Sequence, residues 1–559
     1  MSHFTAQCMD CGHRSAYHPM QYACPKCGSI WLEAHYDLQS IREGFIERLE
    51  KRPFNLWRYR EVLPIRNVNE DLTLGEGGTP LVRAVNLGMM LGNENIYIKD
   101  ERQGPTNSFK DRQAALEISA LKEAGITEAV LASTGNVAIS FSAYAARAGI
   151  KLWAFLTSLV PPEKMREVAL YGTQVVKVTA TYDQAKKMAA EFARQRGLYY
   201  SRGSKSIPSV EGMKTLALEI SEQLTQRLGP PEDGSAPWRA PDWYVQSVSG
   251  GLGPQGVAKG FRELYAMGLV NKIPALANIQ TAGCAPMARA WEADQPEATP
   301  IPSPRTHIAT LATGAPGRTY NLLYQHAKTY GGTFASVSDE EAFRAMHILA
   351  KMEGLSVEPA TAVAFAGLFN MVRNGEIRPD EVVVVNCTGH TIPIERTVLG
   401  EGWARNLVVS RQAAAVREPG PEEGLLSALH RLTADRYPRV AIVDDTADAR
   451  RLIRRILQAQ GDFTIFEAEN GRQAIELARR EKPDLMILDL MMPEVDGFGV
   501  LDALKENEET AEIPVIVVTA KTLTPAEKRR LKGQVHSLMQ KGEFMSDDLA
   551  DEIRSLVDE

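Results

Sequence analysis

The chain has 559 residues and a mass of 61.6 kDa, which is too long for one hydrophobic core, so we expect at least two domains. Its formal net charge of -7 gives no electrostatic reason to expect nucleic acid or an anionic membrane as a partner. No apolar run is long enough to span a bilayer, and the N-terminus lacks the apolar core of a signal peptide. We therefore expect a cytoplasmic protein.

Four of the six cysteines form two Cys-x-x-Cys pairs near the N-terminus. These residues are Cys8, Cys11, Cys24 and Cys27. In a reducing compartment such pairs indicate a metal site, because two intervening residues let both sulfurs face one tetrahedral ion. Residues 1–36 are therefore predicted to form a zinc ribbon-like module with a structural zinc, the alternative being unligated thiols or a site that has lost its metal. The isolated Cys284 and Cys387 are expected to be buried and inert.

Residues 37–405 alternate short apolar runs with longer helix-like stretches. The runs include NIYIKD, EAVLAS, KLWAFL, TQVVKV, WYVQSVS and EVVVVNC. This α/β alternation predicts parallel sheets covered by helices. A segment rich in proline, glycine and charge, RQAAAVREPGPEEG, indicates a linker over residues 406–437. A second alternation over residues 438–559 predicts a compact, doubly wound domain.

Three segments that follow predicted strands of the central block could carry chemistry. Lys110 lies in GPTNSFKDR at a predicted helix start, where partial burial would favour the neutral amine that forms a Schiff base. The turn STGNVAIS brings Ser133 and Thr134 to a helix N-terminus that could hold a carboxylate. The loop GGLGPQG could close around a phosphate, although a glycine-rich loop is often only a tight turn. Its glycines are Gly250, Gly251 and Gly253.

Together these segments resemble the fold type II (tryptophan synthase beta-like) pyridoxal-phosphate enzymes, and within them the threonine synthase group. Matching stretches occur in the family's order over about 340 residues. They are LGEGGTPLV (74–82), PTNSFKDR (105–112), ASTGNVAIS (132–140), EGMKT (211–215), SVSGGLG (247–253), IQTAGCAPM (279–287), VEPATA (357–362) and NCTGH (386–390). A preceding cysteine module also occurs in that group.

The resemblance implies a homodimeric lyase that uses pyridoxal 5'-phosphate for elimination or replacement on an amino acid. Lys110 would form the Schiff base with the cofactor and move the α-proton of the substrate. Asn136 would bind the cofactor's ring hydroxyl, Thr388 would meet the pyridine nitrogen, and the three loop glycines would wrap the phosphate. Ser133 and Thr134 would receive the substrate carboxylate. A neutral hydroxyl at the ring nitrogen makes a moderate electron sink, which suits elimination and replacement.

The substrate remains open because one stretch departs from the group. Before EGMKT the group shows an Asn-Ser-Asn-Pro-type run and an arginine that helps to grip a substrate phosphate. Here the sequence is SRGSKSIPSVEG, with Ser209 near the arginine's place, although Arg202 and Lys205 could supply charge. The alternatives are a β-replacement paralogue whose substrate is not O-phosphohomoserine and a catalytically weak signalling or scaffold protein.

Polar residues follow the predicted strands of the C-terminal block, at the sheet edge where open α/β sheets carry their sites. These residues are Asp444, Asp445, Asp489, Thr519 and Lys541. Clustered carboxylates at such an edge can hold Mg²⁺. With the stretch DLMMPEVDG, this set resembles the two-component receiver domains, which have a flavodoxin-like fold.

That resemblance implies that Asp489 accepts a phosphoryl group from a sensor histidine kinase or a small phosphodonor. The Mg²⁺ ligands would be Asp444, Asp445, Asp489 and the carbonyl of Met491. Thr519 and Lys541 would be the switch pair, whereas Leu538 occupies the place of the usual aromatic switch residue. We expect phosphorylation to act on the enzyme itself or on its assembly, because no DNA-binding element follows the receiver.

Overall fold

The computed structural model describes residues 4–133, 135–157, 160, 162–179, 182–390, 438–460, 463–521 and 523–540. Within these ranges the chain divides into two compact units. The first comprises residues 4–85, 93–349 and 356–390, and the second comprises residues 86–92, 350–355 and 438–540. None of the helices in the described ranges has the length and apolar character needed to cross a membrane.

A three-stranded antiparallel sheet begins the described chain. Its strands are β1 Phe4–Cys8, β2 Arg14–Ser15 and β3 Leu32–Tyr36, with β1 in the centre. Along β1 and β3, buried side chains alternate with half-buried ones, as expected of a sheet with one face against a core. The Tyr36 hydroxyl donates to Glu211 Oε2 at 3.0 Å, and Arg202 donates to the Tyr22 carbonyl at 2.8 Å. These bonds hold the cysteine-bearing segment on the larger part of the unit.

Two further sheets form within the described residues of the first unit. Their strands are β4 Leu81–Arg83, β5 Ile96–Asp100, β6 Glu128–Ser133, β7 Lys151–Thr157, β8 Gln174–Val178, β9 Tyr199–Tyr200, β10 Trp243–Ser247, β11 Ala275–Thr281, β12 Gly332–Val337 and β13 Val383–Cys387. The larger sheet has the order β12-β11-β10-β13-β5-β4 and is parallel except at the β4–β5 edge. The smaller sheet is parallel, with the order β8-β7-β6-β9.

Helices cover these sheets, so central strands are buried on both faces. Every residue of β5 and β13 is buried, so these strands combine apolar runs with the buried polar side chains of Lys99, Asp100 and Asn386. The helices of this unit are α1 Leu38–Arg42, α2 Phe45–Glu50, α4 Lys110–Glu123, α5 Asn136–Ala148, α6 Pro162–Leu170, α7 Tyr182–Arg196, α8 Ile207–Leu228, α9 Leu252–Ala266, α10 Pro286–Glu292, α11 Arg318–Tyr330, α12 Asp339–Ile348 and α13 Pro359–Arg373. The helix α3 Val85–Leu91 falls almost entirely in the second unit. One core surrounds Met213 and Phe261, and a second surrounds Leu116 and Phe141.

The second unit contains a parallel sheet with the order β15-β14-β16-β17-β18, as in flavodoxin-like folds. Its strands are β14 Arg439–Val443, β15 Thr464–Ala468, β16 Leu485–Leu488, β17 Val515–Thr519 and β18 Ser537–Gln540. Its helices are α14 Ala447–Gln460, α15 Gly471–Glu481, α16 Gly497–Lys505 and α17 Pro525–Leu531.

The predicted fold class is confirmed in each part of the chain. All six apolar runs named above are strands, and a helix begins at Lys110 as expected. The domain boundaries after residues 36, 405 and 437 stay predictions, because the proposed linker over 406–437 lies outside the described residues.

Candidate functional site

Lys110 is placed at the start of α4 by backbone bonds to the end of β13. The Phe109 N–H donates to the Thr388 carbonyl at 3.0 Å, and Ser108 forms a β-bridge with Gly389. The lysine is half-buried, with Nζ 4.2 Å from the centroid of the Phe109 ring. Burial lowers the pKa of Lys110 to about 8, although the Glu358 carboxylate acts in the opposite direction. A sizeable neutral fraction, as a nucleophilic amine requires, therefore exists near this pH.

Glu358 connects two of the predicted cofactor ligands. Its carboxylate accepts hydrogen bonds from Asn136 Nδ2 at 2.9 Å and from Thr388 Oγ1 at 3.1 Å, and the residue is only 3% exposed. The Thr388 and Thr361 hydroxyl oxygens are 2.8 Å apart. The structure thus gathers Asn136 and Thr388 around one buried carboxylate that also acts on the charge of Lys110.

A second lysine lies in this site and was missed by the sequence analysis. Lys164 on α6 is buried and donates to Asn136 Oδ1. Burial lowers its pKa, whereas Glu358 and Glu167 act in the opposite direction. A usable signal was present, because Lys164 follows a parallel strand and lies in the first turn of the next helix, as Lys110 does.

The turn between β6 and α5 holds the predicted carboxylate contacts. The Ser133 hydroxyl accepts from the N–H groups of Gly135 and Ala138, at 3.0 and 3.1 Å. The Ser133 hydroxyl therefore orders the N-terminus of α5, where the substrate carboxylate was predicted to bind. Gly135 has a φ of 150°, and a Cβ there would lie 3.5 Å from Lys164 Nζ. Thr134 lies outside the described residues.

The glycine loop between β10 and α9 has room for a group beside its backbone. Gly251 is the N-cap of α9, with a φ of 86°. A Cβ on Gly250 would meet only Thr313 Cγ2, at 4.0 Å, whereas a Cβ on Gly253 would collide with the Gln246 side chain. The first N–H groups of a helix lack intrahelical partners, so this loop can cradle a phosphate.

The residues present fit pyridoxal phosphate. The glycine loop supplies a cradle, and the Lys110 amine has the lowered pKa that covalent attachment needs. Beside Lys110, the Ser108 hydroxyl is buried and has no hydrogen-bond partner within the described residues, so a polar ligand group could satisfy it.

The two basic side chains that could compensate for the missing arginine contact aromatic residues of the cysteine-bearing segment. The Arg202 guanidinium lies 4.5 Å from the Tyr22 ring centroid and binds the Tyr22 carbonyl, and Lys205 Nζ lies 5.7 Å from the Trp31 ring centroid. Ser209 donates to the buried carboxylate of Glu117. In this conformation all three side chains serve internal contacts.

The four N-terminal cysteines form one cluster. Their Sγ atoms all lie within 4.8 Å of one another, with Cys8–Cys27 at 3.6 Å and Cys11–Cys24 at 3.7 Å. Tetrahedral zinc with Zn–S bonds of about 2.3 Å requires S–S separations of roughly 3.8 Å, so the cluster fits this ion. Gly12 and Gly28, with φ of 69° and 74°, permit the two tight turns.

The thiols of the cluster titrate in opposite directions. Burial of the Cys8 thiol opposes ionisation, but the N–H groups of Cys11 and Asp10 and the neighbouring thiols lower its pKa to about 6, whereas the contacts with neighbouring thiols raise the pKa of Cys27 to about 12. Elsewhere, burial raises the pKa of Cys284 to about 11 and that of Cys387 well above the ordinary value, as expected of inert thiols.

The receiver unit brings together the predicted acidic residues at the ends of β14 and β16. Carboxylate oxygens of Asp444, Asp445 and Asp489 lie within 4.8 Å of one another. The Met491 N–H donates to Asp489 Oδ1 at 3.1 Å, and the buried Thr519 ends the adjacent β17. This is a donor set of hard oxygens suited to Mg²⁺.

Two further positions, Leu538 and Lys541, belong to the predicted receiver switch. Leu538 on β18 is 39% exposed, so the position of the usual aromatic switch residue carries a partly exposed aliphatic side chain. Lys541 lies outside the described residues, and its role in the switch stays a prediction.

The parallel sheets, the lysine at a helix start and the glycine loop define a fold type II pyridoxal-phosphate enzyme joined to a receiver domain. Residues 72–389 match the family model described as pyridoxal-phosphate dependent enzyme, and residues 440–554 match that of the response regulator receiver domain. The chain belongs to the pyridoxal-phosphate dependent enzyme family and carries a C-terminal receiver domain.

Curated relatives include two archaeal threonine synthases. The protein of Methanocaldococcus jannaschii is 33% identical over 69% of this chain and 91% of its own length, and that of Methanosarcina acetivorans is 31% identical over 74% and 97%. Diaminopropionate ammonia lyase from Escherichia coli superposes with a TM-score of 0.50 at 19% identity, covering 59% of this chain and 89% of that one. This structural likeness supports the fold alone.

Proposed function

We propose that this chain is a threonine synthase-like lyase that catalyses elimination or replacement on an amino acid. The observation that carries the proposal is Lys110, whose pKa lies near 8 in a site organised by the buried carboxylate of Glu358. Pyridoxal phosphate, when bound, supplies the electron sink that stabilises negative charge at the substrate Cα.

Each predicted ligand has a role that its position supports. The Lys110 amine would hold the cofactor through its aldehyde and would carry the proton of the substrate Cα. Asn136, oriented by Glu358 and Lys164, hydrogen-bonds the ring hydroxyl. Thr388 offers a neutral hydroxyl to the ring nitrogen, which supports elimination and replacement more than transamination.

The anion-binding elements complete the proposed site. The N–H groups around Gly250, Gly251 and Gly253 bind the cofactor phosphate at the start of α9. Ser133, just before the start of α5, and Thr134, which lies outside the described residues, would receive the substrate carboxylate.

A second candidate is β-replacement or elimination on an amino acid other than O-phosphohomoserine. It is favoured by the contacts of Arg202 and Ser209, which bind Tyr22 and Glu117. These side chains would have to leave internal partners to bind a substrate phosphate, although Lys164 provides a buried cation beside Asn136.

Covalent attachment is tested by borohydride reduction of protein supplied with pyridoxal phosphate, followed by peptide mapping. We expect the label on the peptide that contains Lys110. Lys110→Ala should carry no label, whereas Lys187→Ala, which removes an exposed lysine of α7, should be labelled like the parent protein. Label at another lysine would refute the assignment.

Substrate class is tested with O-phosphohomoserine, O-phosphoserine and serine. Threonine formed together with inorganic phosphate from the first compound supports the leading proposal. Oxoacid or a replacement product from the other two alone supports the second candidate. If labelled protein turns over none of them, the alternative of a catalytically weak signalling or scaffold protein gains support.

We also infer that the receiver regulates the enzyme. Phosphorylation of Asp489, with Mg²⁺ held by the neighbouring carboxylates and the Met491 carbonyl, would change the rate or the homodimeric assembly. The cysteine cluster would hold a structural zinc, because four thiolates leave no open coordination position.

A further inference from the structure

A cavity of about 290 Å³ lies between the cysteine-bearing segment and helices α8, α9 and α11 of the first unit. Its volume is close to the lower end of cavities that bind small molecules, about 300 Å³. Leu32, Val210 and Leu322 contribute apolar walls, and the exposed Gln325 and Thr329 lie on its lining towards solvent. The residues that organise the cofactor site do not line it.

The two cations of the lining differ in their partners. Lys259 is paired with Glu211 and donates to the Ala34 carbonyl at 2.6 Å. Arg262 makes no salt bridge or hydrogen bond to any residue in the described ranges. Arg262 therefore offers an unneutralised charge to an anionic group, and a guanidinium binds a carboxylate well.

His326 forms another wall of the cavity. Its Nε2 lies 3.5 Å from the Pro274 carbonyl, and because a carbonyl only accepts, this contact places the hydrogen on Nε2. Nδ1 has no partner among the described residues but is closed off from the cavity as well as from solvent, so the ring contributes a wall and no ligand-binding acceptor. Burial, aided by the charge of Arg262, lowers the pKa of His326 to about 4, so the ring is neutral near pH 7.

Gln255 and Glu33 also line the cavity. The Gln255 amide donates through Nε2 to the Ser204 carbonyl at 3.3 Å, and its Oε1 is closed off from the cavity and from solvent. The Glu33 side chain is 30% exposed, and its carboxylate is 4.0 Å from Lys259 Nζ. The lining thus combines an unpaired cation, an accessible carboxylate and apolar walls.

We propose that this cavity binds an apolar α-amino acid. Arg262 takes its carboxylate, and the Glu33 carboxylate takes its ammonium group. The apolar side chain packs against Leu32, Val210 and Leu322. A ligand with only one of the two charges would leave part of the lining without a partner, which is unfavourable in a partly desolvated site.

This site is separate from the site at Lys110 but adjoins the phosphate loop. Leu323, which also lines the cavity, lies against Gly251, where a Cβ would be 3.0 Å from Leu323 Cδ1. The binding test must therefore exclude reaction of the amino acid with the cofactor.

The experiment titrates the full-length holoenzyme with L-leucine by calorimetry. The same titration on borohydride-reduced holoenzyme, whose cofactor can no longer react, should give the same affinity. 4-Methylpentanoate lacks the ammonium group and 3-methylbutylamine lacks the carboxylate, so each should bind at least ~10-fold more weakly, or about 1.4 kcal/mol. Absence of L-leucine binding at millimolar concentration would overturn the proposal. Binding of both analogues with the same affinity as L-leucine would also overturn it.

Variants locate the ligand. Arg262→Gln removes the carboxylate partner and Leu322→Trp fills the cavity, so each should weaken L-leucine binding at least ~10-fold. Arg227→Gln removes the same charge from an exposed position outside the lining and should bind L-leucine like the parent protein. Unchanged affinity in both cavity variants would place the bound amino acid elsewhere and overturn the assignment. Failure of the Lys110 labelling test would leave this result unaffected.

Discussion

Lys110 is subject to two opposing influences, burial that favours its neutral form and a nearby carboxylate that favours its charged form. Burial prevails, and the pKa falls from 10.5 to about 8. The sequence marked this lysine through its position before a helix, but its titration depends on Glu358, which lies far away in the chain. Asn136 and Glu358, which bind each other, are 222 residues apart. Local patterns therefore find the nucleophile more readily than the groups that tune it.

Covalent uptake of pyridoxal phosphate by the apoprotein should depend on pH through Lys110. Because the neutral amine attacks, the rate should rise with pH, reach half its maximum near pH 8 and then level off. The rate is measured by trapping attached cofactor with borohydride at timed intervals from pH 6.5 to 10. A rate that continues to climb towards pH 10.5 would show an unshifted lysine.

Glu358→Gln should move that midpoint to lower pH. Glu358 raises the pKa of Lys110, so removal of the negative charge lets burial depress the pKa further, by about one unit. Uptake rates over the same pH range give the midpoint. Glu376→Gln, at an exposed position, is the matched control and should leave the profile unchanged. A midpoint that rises in Glu358→Gln would contradict the assigned electrostatic role.

At the scale of elements, the strands were predictable because parallel strands buried on both faces are mostly apolar, as β16 and the first three residues of β13 are. The starts of α4, α5 and α9 were also predictable, from the segment around Lys110, the polar turn at Ser133 and the glycine loop at Gly251, respectively. The hydrogen bond of Arg202 was not predictable, because its partner Tyr22 belongs to the cysteine-bearing segment. This contact exists only after that segment packs. Long-range packing, and not the local sequence, therefore determines which groups Arg202 binds.

The cysteine-bearing segment should contain one zinc ion per chain, measured by elemental analysis of purified protein. Cys11→Ala and Cys24→Ala each remove a ligand and should abolish stoichiometric zinc, because two separate turns close the shell. They should also lower the melting temperature, since metal binding contributes to folding. Cys284→Ala, which removes a buried thiol outside the cluster, should retain the metal. Stoichiometric zinc in Cys11→Ala would refute four-thiolate coordination.

At the scale of the whole molecule, the chain joins a catalytic part with three sheets to a receiver with one sheet, and each part has its own hydrophobic clusters. Both modules were recognisable from sequence, because each keeps its motifs at the ends of strands. How they influence each other was not, since coupling depends on two states of an element and leaves no local sequence signal.

Acetyl phosphate with Mg²⁺ should phosphorylate Asp489 and change turnover by at least ~2-fold or change the mass in solution. Turnover assays and light scattering provide the two readouts, and phosphate incorporation is followed in parallel. Asp489→Asn should show neither incorporation nor response. Asp502→Asn, at a partly exposed surface ion pair of the same unit, should respond like the parent protein. An equal response of Asp489→Asn and the parent protein would exclude coupling through this aspartate.

The presence of both compact units on one polypeptide has a quantitative consequence. The receiver domain and the catalytic part are produced in a fixed one-to-one ratio, and neither has to find the other by diffusion. A change in turnover transmitted within one chain would be an intramolecular event set by an effective concentration and would be insensitive to dilution, whereas a change in homodimeric assembly would depend on concentration. In the first case, variation in expression level would scale the total flux without altering the fraction of molecules that respond.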